Sequence, residues 1–487
     1  MAENLANNIS PEVNTLINTS TKIIATLGPG SREPEMLANL HSVGVNVFRL
    51  NFSHGSHEHH QETIERIRRL EEDLDEPITI MADLQGPKLR VGEIAENTYL
   101  ELGQTFELHL DDVPGDNKRA QLPHKNIFDV VEIGHRLLVD DGKVMLKVTK
   151  ATNDVIYTEV LVAGSISSNK GVNVPDAMIP IKSLTEKDKK DLIFALSQNI
   201  NIFALSFVQS ASDVEYLREV ANQPIKIVSK LEKPAALQDL ENIVQQSDAV
   251  MVARGDLGVE LSPSAVPVAQ RRIIRECRQQ GKPVIVATQM LDSMTNLPTP
   301  TRAEASDVAN AVYSGVDAVM LSGETAVGKY PIETVHMMKE IISQAENDVD
   351  TPLIETATSQ KMLSNKHQKI SQSISRAVKE LAQSLNCHSI ASFTTSGSTS
   401  ISIARQRPSS QLIALTASPD TARFLSFVWG TKSVVTRDAS NFDDMVSIVC
   451  STLLNKGYSK TEELVVITAG VPFGQPGTTN MLRVEQL

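Results

Sequence analysis

Lys230, Glu232 and Asp256 are the residues of this chain best suited to chemistry. Lys230 and Glu232 stand two residues apart at the end of a β-branched run, and strand alternation turns both to the same side. Asp256 ends the next such run, in Arg254-Gly255-Asp256. Carboxylates on adjacent strand ends offer oxygen ligands to a hard cation such as Mg²⁺, which keeps positions open for substrate. Such a cation beside a fixed ammonium stabilises a transferring phosphoryl group, whose charge is spread over its oxygens. Arg49, at the end of an earlier run, adds a planar donor fork for the same phosphate. The Arg254-Gly255-Asp256 turn, where glycine lets the main chain come close to a ligand, and the Thr288 hydroxyl suit a small carboxylate. The ligand these groups imply is a phosphorylated carboxylate.

The elements that must position them follow from short β-branched runs alternating with helical patterns. The runs are Thr21 to Leu27, Val45 to Asn51, Ile78 to Leu84, Ile202 to Val208, Ile225 to Leu231, Ala249 to Asp256, Pro283 to Met290 and Asp317 to Ser322. Amphipathic stretches such as His57 to Asp75, Ala235 to Gln246 and Val268 to Gln280 follow them. Such a set of βα units predicts an α/β fold, a TIM (β/α)8 barrel, in which chemistry sits at the C-terminal ends of the strands. Those ends also carry Asn51, Ser53 and His54, then Asp83, Ser206, Thr288-Gln289 and Ser322-Gly323-Glu324. Any one of these could be a loop cap or a solvated charge; agreement across so many strand ends marks a site.

The alternation breaks once. Between about Gly86 and Ile181, runs such as TFELHL, VMLKVTKA and VIYTEVLVAG read as strands and turns without a convincing helix, an all-β domain inserted after strand three. Beyond the eighth unit a polar stretch, 348–368, precedes strands at Ser389 to Thr394, Leu412 to Thr416, Ser433 to Thr436 and Leu464 to Ala469, an open α/β domain. The expected organisation is an N-terminal tail (1–20), the barrel (21–86 and 182–348), the inserted β domain (87–181) and a C-terminal α/β domain (349–487).

Composition narrows the class. The 487 residues are 41% hydrophobic, enough for large cores, with no apolar run of membrane-spanning length. The polar N-terminus lacks a secretory pattern, so a cytoplasmic location is expected. Cys277, Cys387 and Cys450 lie far apart, without the spacing of a disulfide framework or a thiolate zinc site. A net charge of -13 repels nucleic acid and anionic membrane, so neither is an expected partner.

Long motifs carry a resemblance over nearly the whole chain after the first twenty residues. They are TKIIATLGPGS, FRLNFSHGSHEHH, ADLQGPKLRVG, KGVNVP, LTEKDKKDL, ALSFVQS, IVSKLEK, MVARGDLGVE, the run from ATQMLDSM to GETAVGKYP, TTSG and GQPGTTN. The chain resembles the pyruvate kinases. The resemblance implies transfer of the phosphoryl group of phosphoenolpyruvate to ADP, giving pyruvate and ATP, with Mg²⁺ (or Mn²⁺) on Glu232 and Asp256 and with Lys230 stabilising the group in flight. It places Thr288 at the substrate carboxylate and, with Ser322 and Glu324, in the proton-delivery network. Ser206 and Gly255 join the substrate side; Arg49, Asn51, Ser53, Asp83, Arg90 and Lys187 line the phosphate side, with Pro29 and His54 towards the nucleotide. The resemblance makes the inserted domain (87–181) a β-barrel lid that would close over this face and exclude water, and the C-terminal domain (349–487) a regulatory domain.

Many members of the family hold K⁺ near Asn51, Ser53 and Asp83 with a glutamate beside it. Here that position is Lys88, whose ammonium can supply the missing charge, and Leu84, Gln85 and Val91 also match the family's lysine branch. Activity without K⁺ is expected. Asp176, where a glycine is common, suggests a left-handed backbone at the lid hinge. Gly323 to Lys329 imitates a P-loop, but Tyr330 replaces the required hydroxyl and Pro331 follows. In the C-terminal domain Thr394, Thr395, Ser396, Gly397, Ser398 and Thr399 lie between a strand and a helix expected from Ile401, a simple cap or a phosphate cradle. By resemblance this loop and GQPGTTN form an allosteric site for a sugar phosphate or nucleotide in a homotetramer. A different phosphoenolpyruvate or pyruvate enzyme on the same barrel would need no ADP, and a catalytically silent metabolite sensor would show no turnover.

Overall fold

The computed structural model describes residues 19–348, 366–471 and 479–487. Most of the tail, most of the polar stretch before the C-terminal domain and most of GQPGTTN lie outside the described residues. The eight predicted barrel runs form one closed parallel barrel, paired in the sequential order 1-8-7-6-5-4-3-2. The strands are Lys22–Leu27, Val47–Asn51, Thr79–Asp83, Ile202–Leu205, Lys226–Leu231, Ala249–Ala253, Val284–Ala287 and Ala318–Leu321. Nearly every residue in them is buried, as parallel strands covered on both faces must be, which explains their continuous rather than alternating apolar character. Residues trimmed from the predicted runs, such as Ser206, Val208 and Ser322, lie just past the strands in the loops at their C-terminal ends.

The helices start where their sequence says they should. Thr185 and Thr301 each accept from the backbone three residues on while Asp188 and Glu304 return the bond, two capping boxes worth about 1 kcal/mol apiece. The amphipathic stretch from His57 forms His57–Leu74 and buries Ile64 and Ile67. The stretch at Ala235 to Gln246 splits into Pro234–Gln238 and Leu240–Gln246 at Asp239, whose backbone is not helical and whose carboxylate accepts Ala211 N–H at 2.8 Å.

By contact density the chain divides into two compact units, 1–49 with 63–80 and 289–487, and 50–62 with 81–288. The second unit holds the insertion, whose strands form a six-stranded sheet and a two-stranded one. Pairing in the larger sheet is antiparallel except for Thr105–His109 against Arg119–Gln121, and its core gathers Phe106, Leu146, Ile156 and Val172. One short helix, Lys125–Phe128, interrupts a segment expected to contain none. Asp176 does not take the left-handed backbone anticipated for it. Its carboxylate instead grips Arg136, accepting from Nε, Nη2 and the backbone N–H at 2.7 to 2.9 Å.

The first unit holds the open C-terminal sheet of five strands. Four are the predicted parallel strands; the fifth, Thr479–Gln486, pairs antiparallel with Leu464–Gly470 and escaped prediction because its Asn, Arg, Glu and Gln break any period-2 signal. Lys22 is buried in this unit, and its ammonium donates to Thr431 O at 2.8 Å. Burial, then the charge of Lys432, push it down to about 8, with Glu346 opposing.

Between pH 8 and 10.5 the unfolded chain therefore holds a proton that the folded chain has released, so stability from this group rises with pH across that window. Lys22→Met is expected to raise the unfolding free energy at pH 7 by up to about 3 kcal/mol, and the thermal midpoint with it, and to lose most of that advantage near pH 10. Thermal unfolding of both proteins at the two pH values checks this; an unchanged or lowered midpoint at pH 7 would contradict it.

Candidate active site

The second unit holds the densest charge cluster at the strand ends. Lys230 Nζ lies 2.7 Å from Ser206 Oγ, 3.2 Å from Asp83 Oδ1 and 3.0 Å from Glu232 Oε1. Both carboxylates are almost wholly buried, so the ammonium between them is the condition for their burial. Ser206, expected on the substrate side, donates to Leu84 O at 2.7 Å and thereby orients Lys230. Phe207 adopts a left-handed φ of 55°, which turns its N–H onto Glu232 Oε2 at 2.7 Å.

Glu232 Oε1 meets Lys230 as an ion pair but receives no well-aligned hydrogen bond. Burial raises the Glu232 carboxyl to about 7; Lys230 opposes this and the charge of Asp256 adds to it. A half-satisfied, buried oxygen near a second carboxylate is a place where a divalent cation improves the local balance. The donor set fits Mg²⁺, which takes one or two carboxylates and keeps other positions for water or substrate. Among the described residues no group of three or more His, Cys, Asp or Glu forms an all-protein metal cage.

Gly255 and Asp256 were expected in a turn, but Arg254–Glu260 is a helix and both lie in its first turn. Gly255 N–H donates to Thr288 Oγ1 at 2.8 Å, and Arg254 Nη2 donates to Thr288 O at 2.6 Å. Thr288 itself has φ 68°, a strained conformation for a β-branched residue, which such contacts must hold in place. The predicted carboxylate-binding pair is thus adjacent: Gly255 N–H is satisfied by the Thr288 hydroxyl, which itself donates to Ala287 O at 2.6 Å.

Of the phosphate-side residues in this unit, Lys187 donates to Asp191 Oδ2 and to Phe52 O, both at 2.6 Å. Asn51 caps the turn by accepting Ser53 N–H at 3.1 Å, while His54 and Ser53 are exposed. Arg90 donates to Asn169 O at 2.8 Å. Lys88 is exposed and lines a cavity of about 430 Å³ with Lys187, Lys125 and Gln85. It also borders a second recess that includes Asp256 and Asn173.

The first unit carries the remaining predicted residues. Arg49 is buried and donates to Thr26 Oγ1 at 2.9 Å, which in turn donates to Leu321 O at 2.8 Å. Ser322 N–H donates to Glu324 Oε2 at 2.6 Å, and burial raises the Glu324 carboxyl above its usual range against these backbone donors. Pro29 is exposed. The P-loop imitation folds on itself: Gly328 N–H donates to Gly323 O, and a side chain at Gly328 would stand 2.2 Å from Glu324 O, leaving no phosphate cradle. In the C-terminal loop the helix begins at Ser398, three residues before its expected start. Gly397, at φ 85°, donates to Thr394 Oγ1, Thr395 O accepts from Thr421, Ser396 donates to Ser398 Oγ at 3.2 Å, and Thr399 pairs with Thr479. Sequence reasoning missed Phe207 and Asp191. Asp191 had a readable signal, its i, i+4 spacing from Lys187 in a capped helix.

Fold and site together define the class: an enzyme on a (β/α)8 barrel, with an inserted β domain and an open α/β domain, whose strand ends are equipped for phosphoryl transfer. The family profile "Pyruvate kinase, barrel domain" matches residues 18–335, and "Pyruvate kinase, alpha/beta domain" matches 372–485. A pyruvate kinase of Methylorubrum extorquens is 45% identical over 465 residues, covering 95% of this chain and 96% of its own. One from Agrobacterium vitis is 43% identical over 473 residues, covering 96% and 97%. The crystal structure of a pyruvate kinase from Cryptosporidium parvum superposes with a TM-score of 0.90 at 34% identity, covering 96% of each chain. The chain belongs to the pyruvate kinase family and is a phosphotransferase.

Because Lys230 is the shared cation of Asp83 and Glu232, Lys230→Met is expected to destabilise the fold by about 3–5 kcal/mol near neutral pH. Adding Glu232→Gln should recover part of that loss. Urea unfolding of the single and double variants tests the point; equal stability of parent and Lys230→Met would refute it.

Proposed function

We propose that this chain transfers the phosphoryl group of phosphoenolpyruvate to ADP in glycolysis, with Mg²⁺ and without a requirement for K⁺. The observation that carries the reading is Lys230 fixed between buried Asp83 and Glu232. In this reading Glu232 and Asp256 hold Mg²⁺ (or Mn²⁺), which supplies positive charge to the oxygens it ligates. Lys230, immobilised by Ser206 and Asp83, presents a preorganised ammonium to the phosphoryl group as it moves, at no reorganisation cost. Arg49, kept on the phosphate side by Thr26, supplies a second fixed cation. Asn51, Arg90 and Lys187 face the ADP phosphates, with Pro29 and His54 toward the nucleoside.

The second half-reaction protonates enolpyruvate. Thr288 orients the substrate carboxylate with Gly255, and Thr288, Ser322 and Glu324 form the proton-delivery network. The elevated Glu324 carboxyl keeps a proton closer to neutral pH than an exposed glutamate would. The inserted domain (87–181) acts as the lid on the barrel (21–86 and 182–348), keeping out the water that would hydrolyse the substrate. The C-terminal domain (349–487) is the regulatory domain of a cytoplasmic homotetramer, with the loop Thr394 to Thr399 taking a phosphorylated effector.

Lys88 replaces the monovalent cation of other family members with its own ammonium. Pyruvate formation from phosphoenolpyruvate and Mg²⁺ is expected to require ADP and to proceed at full rate in K⁺-free buffer. Turnover without ADP would point to a lyase or mutase, and no turnover to a sensor. Lys88→Glu is expected to lower the K⁺-free rate by about tenfold or more and to regain it on adding K⁺. A parent enzyme active only with K⁺ would refute the role of Lys88.

A further inference from the structure

The HGSHEHH segment contributes more to the structure than His54. His57 lies flat on Phe194, ring centroids 4.3 Å apart and planes 4° from parallel, and its Nε2 sits 2.8 Å from Asp191 Oδ1. The other oxygen of Asp191 accepts from Lys187 at 2.6 Å. Asp191 is 3% exposed, so a buried carboxylate holds a histidine with one oxygen and a lysine with the other. Lys187 also donates to Phe52 O, the carbonyl of the residue between Asn51 and Ser53. Phe52 stacks on His60 at 4.3 Å, and His60 Nε2 lies 2.9 Å from His54 O.

The geometry points to Asp191 and His57 as positioning residues for the nucleotide side of the site. A lysine side chain has several rotatable bonds, and aiming its ammonium costs entropy unless a partner holds it. Asp191 is that partner, one helical turn away on Glu186–Ser197. His57 fixes Asp191 in turn: stacking on Phe194 limits the ring, and Nε2 occupies the carboxylate oxygen that Lys187 does not use. The same contacts tie Lys187 to the 51–54 loop, so the ammonium and the loop carrying Asn51 and His54 are set by one network. Neither Asp191 nor His57 needs to touch substrate.

This inference rests on the reading of Lys187 as a nucleotide-side residue, and the experiment separates the two. Steady-state kinetics are measured against ADP and against phosphoenolpyruvate for Lys187→Met, Asp191→Asn, His57→Phe and His57→Gln, with unfolding midpoints for each. Lys187→Met should raise the KM for ADP. Asp191→Asn should raise it by about 10-fold or more, while the KM for phosphoenolpyruvate stays within about twofold. His57→Phe keeps the stack but loses the contact and should follow Asp191→Asn in part; His57→Gln, which restores a donor, should return towards the parent. If Lys187→Met leaves the KM for ADP unchanged, both the nucleotide reading and this inference fall. If Lys187→Met raises it but Asp191→Asn does not, or if both substrates suffer equally in Asp191→Asn, the positioning role alone is overturned.

Discussion

Burial of Asp83 and Glu232 against one ammonium is the constraint on which the rest of the site depends. Two carboxylates taken out of water near each other are tolerable only with a compensating cation and well-placed donors. Lys230 supplies the cation; Ser206 and the Phe207 amide supply the donors. The left-handed φ at Phe207 is the local strain that puts the amide there. The arrangement leaves an oxygen of Glu232 without a well-aligned hydrogen bond and its carboxyl raised to about 7, the feature on which the proposal of a divalent cation there rests.

The barrel makes such a cluster possible. Short strands buried on both faces push most polar residues to the strand ends, and closure brings successive C-terminal ends side by side. Supporting contacts then lock each group. Thr288 is held in a strained conformation by Gly255 and Arg254, and Arg49 is tied through Thr26 to the end of strand eight. Functional side chains held by such bonds lose little freedom on meeting a ligand, the condition for electrostatic preorganisation.

Legibility in the sequence varied with the kind of interaction. The eight barrel strands and four of the C-terminal strands were readable because a buried parallel strand is a dense apolar run bounded by polar residues. The edge strand Thr479–Gln486 was not, since an antiparallel edge tolerates polar residues on both faces. Asp176 shows the opposite error: a residue-type argument pointed to backbone conformation, whereas a salt bridge to Arg136, forty positions away in sequence, explains the side chain.

The sequence by itself determined the order of βα units, the insertion after strand three, and which chemical groups stand at the strand ends, because each depends on local periodicity and residue type. Only the tertiary structure decided which of those groups share a proton or a charge. That Ser206 orients Lys230, that Gly255 donates to Thr288, and that His57 meets Asp191 are facts about distances between residues two dozen to more than a hundred positions apart. Hydrogen bonds and ion pairs depend on tenths of an ångström, and no periodicity records where two distant loops will meet.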